Sequence, residues 1–332
     1  MREEDIRPAA IAADQEVAML RDIGRMLSRR HEFVEVDCPA CGSSNRSVRF
    51  RKFGLAYWDC QACHTVYVSP RPGPETLDWF YRESVNYAYF HKYTFPQSNE
   101  ARRQHIAVPR VNRFLELCGR HGVNGGSFLE IGPGFGTFSI ELVSRSFFKR
   151  IVAIEPTPDL AAHCRRSGLE IIESRFEDIT FAPGERFDAI VCYEVLEHIF
   201  SPREFLAHCR HVLRPGGLIA ATVPNIEGFD IVTLGAASDS IDVEHLNYFH
   251  PGSLSRLFVS CGFEVVDVET PGELDAELVR NKVLRGEATL DGQPWLKKIL
   301  IDEWDQHGES FQAFLQASGL SSHLRCAARL LQ

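Results

Sequence analysis

The sequence has no long hydrophobic run and no excess of basic residues. No stretch of 18 or more apolar residues occurs, which excludes an ordinary membrane-spanning helix. The first ten residues, MREEDIRPAA, turn acidic early and lack an apolar core, so we expect no secretory signal and a cytoplasmic protein. Acidic residues outnumber basic ones by 45 to 36, and the formal net charge of -9 argues against a protein that wraps nucleic acid.

Cysteine, by contrast, is plentiful, with ten in the chain. Two CxxC pairs, Cys38–Cys41 and Cys60–Cys63, are separated by eighteen residues. A two-residue gap folds each pair into a tight knuckle, and two knuckles supply the tetrahedral sulfur shell that zinc prefers. We therefore predict a structural Zn²⁺ bound by Cys38, Cys41, Cys60 and Cys63, with unpaired or redox-active thiols as the alternative. The other six cysteines are scattered, which fits a reducing compartment.

From residue 127 onward, short β-rich runs alternate with helical segments. Six such runs are SFLEIG, RIVAIE, LEIIES, FDAIVCY, GLIAATVP and FEVVDVET. This alternation is typical of an α/β fold with a mostly parallel sheet covered on both faces. The last apolar run, at 323–331, fits either a seventh strand or a closing helix. The predicted fold class is therefore α/β, a Rossmann-like sheet of seven strands behind a small zinc ribbon.

The composition shifts along the chain predict four parts. An amphipathic helix is expected at 13–30, from the helical spacing of its apolar residues. Aromatic residues crowd positions 79–95, which indicates either a lid over a ligand or an interface with the ribbon. We expect the helices in this region to be broken by Pro96 and Pro109. The predicted parts are an N-terminal helical segment (1–35), the ribbon (36–74), a helical lid or linker (75–126) and an α/β domain (127–332) with an insert at about 271–322.

The most informative stretch runs from Phe128 to Gly136. A β-run ends in Gly132, Gly134 and Gly136, where glycine lets the backbone turn sharply and approach a ligand closely. Thr137 stands where a dinucleotide fingerprint has its third glycine, which disfavours a nicotinamide enzyme. Glu155 closes the second β-run, and a carboxylate there can accept hydrogen bonds from ribose hydroxyls.

Several motifs together resemble those of class I S-adenosylmethionine (SAM)-dependent methyltransferases of the ubiquinone-biosynthesis, methyltransferase-23-like kind. They are E-x-G-x-G-x-G from Glu130, the strand-end acid Glu155, FDAIVCYEVLEH at 187–198 and LRPGG at 213–217. The resemblance covers 127–270. It implies that SAM is the cofactor, that Glu155 binds its ribose, that Asp178 accepts from its adenine amino group, and that its methionine end lies against Glu130, Gly132, Gly134 and Gly136.

Two histidines stand where a methyl acceptor would bind. His198 ends the VLEH motif after the fourth predicted strand, and His245 follows the fifth. A histidine suits proton removal from a hydroxyl because its ordinary pKa lies near neutrality. We expect His245 to be the base, as the resemblance places its segment beside the acceptor, and His198 to support the loop. For His198 a structural hydrogen bond is the preferred reading, and for His245 a substrate-facing role is weighed evenly against a structural one.

Missing motifs narrow the acceptor. No NPPY or DPPY follows the fourth predicted strand, where Cys192-Tyr193-Glu194 stands, and the chain has no Pro-Cys pair and no CxxxCxxC. These absences argue against methylation of exocyclic base amines or of a pyrimidine carbon. They also argue against radical SAM chemistry. We expect O-methylation of a small-molecule or glycan-type acceptor, since the ribbon and the PGELDAELVRN segment resemble a subgroup associated with glycan and natural-product pathways. The alternatives are an RNA methyltransferase that grips RNA with its ribbon and a non-catalytic SAM-binding protein. Acceptor identity and oligomeric state stay open.

Overall fold

The computed structural model describes residues 2–331 and arranges the strands of this range in two sheets. The strands are β1 (Arg46–Lys52), β2 (Leu55–Cys60), β3 (Val66–Val68), β4 (Ser127–Ile131), β5 (Arg150–Ile154), β6 (Glu170–Ile172), β7 (Phe187–Tyr193), β8 (Leu213–Pro224), β9 (Asn247–Tyr248), β10 (Phe263–Glu269) and β11 (His323–Leu330).

Helices surround both sheets. They are α1 (Glu3–Ile6), α2 (Ala9–Ser28), α3 (Pro74–Glu83), α4 (Val85–Tyr89), α5 (Phe95–Arg102), α6 (Val108–Arg120), α7 (Thr137–Ser144), α8 (Pro158–Arg166), α9 (Pro202–Val212), α10 (Phe229–Leu234), α11 (Pro251–Ser260), α12 (Asp275–Leu284), α13 (Pro294–Lys297) and α14 (Trp304–Ala317). No helix within residues 2–331 is both long and apolar enough to cross a bilayer.

The large sheet has seven strands in the order β10-β11-β8-β7-β4-β5-β6. Strands β6, β5, β4, β7 and β8 run parallel, whereas β11 runs antiparallel to both β8 and β10. The predicted α/β fold is thus confirmed, and the last apolar run is a strand and not a closing helix. Its insertion between β8 and β10 completes the sheet after the helices of residues 275–317.

Both faces of the sheet are buried. Side chains alternate between the two faces along each strand, and each set packs into its own hydrophobic cluster. On β7, Ile190 and Cys192 join one core cluster, while Ala189, Val191 and Tyr193 join the cluster on the opposite face. A strand of this kind has no solvated face, so nearly every residue must be apolar. This requirement explains the unbroken apolar run from Ala189 to Tyr193.

The ribbon forms the small sheet, whose order is β1-β2-β3-β9. Its first three strands come from residues 46–68, but the fourth, β9, comes from residues 247–248, which lie between the fifth strand of the large sheet and α11. The ribbon is therefore hydrogen-bonded directly into the α/β domain.

The segments from α4 to α6 form one nearly continuous helix over residues 85–120. The residues at the boundaries, such as Phe95 and Val108, have right-handed helical dihedral angles. Two π-helical turns, Phe90–Thr94 and Arg103–Ala107, precede the prolines. The expectation that Pro96 and Pro109 break these helices is wrong: each proline lies in the first turn after a π segment, where its missing N–H and its ring are tolerated.

Candidate active site

A cavity of about 660 Å³ lies at the carboxyl ends of the parallel strands. Ile131, Ile154 and Tyr193, from the ends of β4, β5 and β7, contribute to its lining. The strand order reverses at β4, since β5 lies on one side of it and β7 on the other. Ligands of open α/β sheets bind at such a switch point, so the topology alone identifies this cavity as the candidate site.

Three glycines turn the chain from β4 into α7. Gly132, Gly134 and Gly136 have φ angles of 72°, 55° and 70°, the left-handed region that favours glycine. A Cβ on Gly132 would come within 2.7 Å of Val195, whereas a Cβ on Gly134 would meet no described atom within 4 Å. Gly134 lines the cavity, so its open side is available to a ligand. The glycine loop therefore has the close approach that a bound cofactor requires.

Two buried carboxylates flank this loop. Glu130, on β4, accepts a hydrogen bond from the Ser139 hydroxyl, and burial raises its pKa to about 7. Glu155, just after β5, accepts from the backbone N–H of Gly134 at 3.2 Å and of Thr157 at 2.9 Å. Burial also raises the pKa of Glu155 above its usual value, against the effect of these bonds. Both glutamates line the cavity and offer acceptor oxygens to a cationic or hydroxyl-bearing ligand.

The structure separates the two acids of the Phe176-Glu177-Asp178 segment. Phe176 and Glu177 line the cavity. Asp178 lies outside the described lining, and its side chain, 57% exposed, forms an ion pair with Arg175 at 2.9 Å. The placement does not favour the predicted adenine contact of Asp178, because neighbouring residues in a 3₁₀ turn point in different directions. Of the two acids, only Glu177 is in the described cavity lining.

His198 lines the other end of the cavity. Its Nδ1 lies 3.0 Å from the hydroxyl of Tyr81 and 3.6 Å from Glu244 Oε2. Burial, reinforced by the nearby His245, holds the pKa of His198 well below its usual range. A neutral imidazole in contact with the cavity can accept a proton, so the chemistry of a base is available at this position.

His245 lies behind His198, outside the described cavity lining. The two rings are 4.7 Å apart between centroids, and His245 Nδ1 is 3.1 Å from the backbone oxygen of Ser240. The neighbouring Glu244 is buried, which raises its pKa to about 8, and it accepts a hydrogen bond of 2.5 Å from the Tyr87 hydroxyl. The fold thus brings both predicted histidines together but presents His198 to the cavity.

Glu194 lines the cavity, although the sequence motifs led to no predicted role for it. Glu194, directly after β7, has a φ of 56°, which is unusual for a residue with a side chain. Its Oε1 accepts from Thr222 at 2.7 Å and from Arg110 at 3.0 Å. Burial opposes ionisation, but His323 and Arg110 outweigh it and hold the pKa of Glu194 at about 2. Glu194 belongs to the EVLEH motif, and its position at a strand end was the available signal.

Aromatic side chains of the 79–95 region cover the cavity. The lining includes Tyr81, Tyr87, Phe90 and Phe95 from this region, which is the arrangement of a lid. In the same region, Phe80 is packed in the cluster that contains Tyr57 and Val66 of the ribbon. The aromatic segment therefore contacts both the cavity and the ribbon, and its action as a lid stays a prediction.

The four ribbon cysteines converge on one point. Their sulfur atoms all lie within 4.8 Å of one another, with Cys38 and Cys63 at 3.6 Å and Cys41 and Cys60 at 3.4 Å. A tetrahedral site with Zn–S bonds of about 2.3 Å has sulfur atoms about 3.8 Å apart. The spacing and the four-thiol donor set fit Zn²⁺, and four sulfurs leave no open position for catalysis.

Comparison with known proteins agrees with this geometry. Residues 99–268, just over half of the chain, match a family described as "Methyltransferase domain". A Mycolicibacterium smegmatis relative, called "Probable S-adenosylmethionine-dependent methyltransferase", is 26% identical over 195 residues, which cover 55% of this chain and 72% of the relative. A ubiquinone biosynthesis O-methyltransferase of Xylella fastidiosa is 31% identical over 125 residues, covering 35% of this chain and 50% of that protein.

Among solved structures, phosphoethanolamine N-methyltransferase 2 of Haemonchus contortus aligns with a TM-score of 0.45 and 18% identity, over 67% of this chain and 53% of that one. The chain thus spans about half the length of this structure and of the Xylella relative. The family match includes the glycine loop, the two carboxylates and both histidines. The chain therefore belongs to the methyltransferase domain family, and it is a SAM-dependent methyltransferase.

Proposed function

We propose that the enzyme transfers the methyl group of SAM to a hydroxyl of a small-molecule or sugar-type acceptor. The observation that carries the proposal is that one cavity joins the glycine loop and Glu155 at one end to His198 at the other. A base beside the acceptor is needed for a hydroxyl, whose proton must leave, and less for an amine. The ubiquinone O-methyltransferase relatives are compatible with an oxygen acceptor.

We assign one end of the cavity to the cofactor because of the residues that line it. Gly132 and Gly134 line the space for the methionine portion together with Glu130, and Glu155 accepts from the ribose hydroxyls. Gly136, which the sequence motif also assigns to this site, lies outside the described lining and packs against Leu169 and Cys164. Glu177 replaces Asp178 as the acid nearest the adenine. When bound there, SAM supplies a methyl group on a sulfonium leaving group. The enzyme's task is then to orient the acceptor in line with that group and to exclude water.

At the acceptor end, the geometry favours exchanging the predicted roles of the two histidines. His198 contacts the cavity, so it is the proton acceptor in our proposal, and His245 is its partner. In the tautomer with the proton on Nδ1, His198 donates to the Tyr81 oxygen, and its Nε2 carries the lone pair that accepts the proton. Glu244, 3.6 Å from Nδ1, offers an acceptor beside the imidazolium that would form. His245 stays a candidate base, since its ring is in reach of His198.

The ribbon's part in this proposal is structural. Four thiolates would hold Zn²⁺ and fix the two knuckles, and metal binding of this kind is coupled to folding. The cysteines lie in the same core cluster as Phe249 and Leu254 of the α/β domain. A folded ribbon therefore supports the packing of the catalytic domain as well as its own.

The test is a labelling experiment with SAM that carries a deuterated methyl group. The enzyme is incubated separately with a small-molecule extract and with total RNA, and both are analysed by mass spectrometry. We expect label in the small-molecule fraction, in an alkali-stable O-methyl group, and none with the Gly134→Val control. Label in RNA would favour the RNA alternative. Tight SAM binding without label in either fraction would favour a non-catalytic protein.

A further inference from the structure

The ribbon's sheet is completed by the chain segment that carries His245. Strand β3 pairs with β9, with Val66 opposite Tyr248 and Tyr67 opposite Asn247. The backbone N–H of Val68 also donates to the oxygen of Leu246 at 3.0 Å. These bonds begin one residue after His245. The path of the segment around His245 is therefore set by the ribbon.

A buried arginine, Arg71, extends this connection to the His198 loop. Its side chain is fully buried, and Nη1 donates to the oxygen of Phe200 at 2.9 Å and to Asn247 Oδ1 at 3.1 Å. Its Nε donates to the oxygen of Val68 at 2.9 Å, and Nη2 to that of Leu246 at 3.3 Å. All four acceptors are uncharged, and burial lowers the pKa of Arg71 to about 9.

Such a buried cation is costly to desolvate, and the cost must be offset by its hydrogen bonds. Only the planar fork of an arginine offers enough fixed donors to reach three chain segments at once. Arg71 joins the end of β3, the loop after β7 and strand β9. Those last two segments are the ones that carry the two histidines.

Asn247 ties the two histidine segments to each other. Its Nδ2 donates to the oxygens of Leu196 at 3.0 Å and Ile199 at 2.7 Å, on either side of His198. The backbone N–H groups of Leu246 and Asn247 both donate to the oxygen of Glu197, at 2.7 and 3.1 Å. The peptide around His198 is thus held from three points by residues next to His245.

We propose that Arg71 and Asn247 are positioning residues that transmit the fold of the ribbon to His198. In this proposal, the ribbon sets the positions of the residues at the acceptor end of the cavity without contacting the acceptor itself. This inference rests on the proposed function in that it takes His198 as the group that meets the acceptor. It assigns to the ribbon a task beyond its own stability.

The cofactor half is built on different contacts, which makes the inference selective. Glu130 is held by Ser139 of α7, and Glu155 by the backbone of Gly134 and Thr157. These partners belong to α7 and to the loops after β4 and β5, and no described hydrogen bond joins them to Arg71 or Asn247. Loss of the Arg71 and Asn247 bonds should therefore disturb the histidine loops and spare the cofactor end.

The experiment compares three variants of the full chain. Arg71→Lys keeps the charge but loses the fork. Asn247→Asp keeps the acceptor for Arg71 but loses both amide donors. Arg203→Met is the matched control, because Arg203 also bonds the ribbon, through the oxygen of Ala40 at 3.0 Å, but touches neither histidine loop. The readouts are amide hydrogen exchange by mass spectrometry, the imidazole NMR signal of His198 and the affinity for S-adenosylhomocysteine by calorimetry.

We expect Asn247→Asp and Arg71→Lys to exchange about tenfold faster in 194–200 and 244–249, with a shifted His198 signal. Affinity for S-adenosylhomocysteine should stay within about threefold, and Arg203→Met should leave both segments unchanged. If Arg71→Lys fails to fold, Asn247→Asp alone decides. Unchanged exchange and an unchanged His198 signal in a folded Asn247→Asp would overturn the inference, as would equal acceleration in the glycine loop. None of these readouts depends on turnover, so failure of the proposed methyl transfer is separately visible.

Discussion

The ring of Phe95 lies parallel to that of Phe135, with centroids 3.5 Å apart and planes 7° apart. Phe95 belongs to the lid helices, and Phe135 lies between two glycines of the glycine loop. His163 of α8 packs edge-on against both rings. Helix α5 is therefore packed against the glycine loop, and we predict that these rings separate when the cofactor enters or leaves.

Phe135→Ala should speed the release of S-adenosylhomocysteine. An aromatic pair of this kind contributes about 0.5–1.5 kcal/mol beyond its buried area, which corresponds to about two- to tenfold in rate. Stopped-flow displacement measures the release rate. Tyr93→Ala is the control, because Tyr93 packs against Tyr89 in the same helical region but is 41% exposed. Equal release rates in Phe135→Ala and the wild type would show that the lid opens elsewhere.

Purified protein should carry one Zn²⁺ per chain. The four converging sulfurs of the ribbon match the spacing of a tetrahedral zinc site. Cys60→Ser should lose the metal and lower the thermal transition, since a three-sulfur shell binds zinc more weakly. Elemental analysis and a melting curve measure both effects.

Cys118→Ser is the matched control for the zinc variant, because Cys118 is also buried but lies in the cluster of Phe114 and Phe128, away from the ribbon. It should keep the full zinc content. Absence of zinc from freshly purified, reduced wild-type protein would refute the predicted metal site, whatever the stability of the variants.

Glu155→Ala should weaken the binding of both SAM and S-adenosylhomocysteine. A carboxylate that accepts from two hydroxyls contributes on the order of 1.5–3 kcal/mol, or about 10- to 150-fold in the dissociation constant. Gly134→Val should abolish binding, since its φ of 55° strains a branched side chain and its open side faces the cavity. Calorimetry with each ligand gives the comparison.

The acids after β6 supply an internal control for the cofactor site. Glu177→Ala should weaken binding, whereas Asp178→Ala should change it little, because Glu177 lines the cavity and Asp178 does not. The opposite ranking would restore the adenine contact that the sequence motif favours for Asp178. Unchanged affinity in both Glu155→Ala and Gly134→Val would remove the cofactor from this end of the cavity.

The sequence predicted those features that depend on local pattern. The strands of the large sheet, the glycine loop and the cysteine knuckles each follow from spacing within a short stretch, such as Gly132 to Gly136. The sheet placed the glycine loop and His198 at one edge because parallel strands share their carboxyl ends. No structural knowledge was needed to bring these residues into one site.

Other features depend on contacts between distant residues. The bond from Arg71 to Asn247 joins positions 176 residues apart, and nothing in either local sequence indicates it. The direction of a side chain is equally hard to read from sequence, so the motif that indicates Asp178 does not show that Glu177 is the acid lining the cavity. The order of His198 and His245 relative to the cavity depends on the loops' packing against the ribbon, which only the fold determines.

The two assignments of the base, to His198 or to His245, predict different pH dependences of turnover. These can be measured once labelling has identified an acceptor. His198 must be unprotonated to act as the base, and burial holds its pKa well below the usual value of about 6.5. Turnover should therefore be flat near neutrality and fall only on the acid side of that value. His198→Gln should lose about 10²–10⁴-fold in kcat, with the acid limb removed and SAM affinity retained.

His245→Gln should behave differently, since a charge on His245 is one cause of the lowered pKa of His198. Removing it raises the pKa of His198, so the acid limb should move toward neutral pH, with a smaller loss of kcat than in His198→Gln. The pH profiles of kcat for the two variants decide between the assignments. If His245→Gln lost the acid limb and the larger share of turnover, while His198→Gln kept more than about a tenth of the wild-type kcat, His245 would be the base after all.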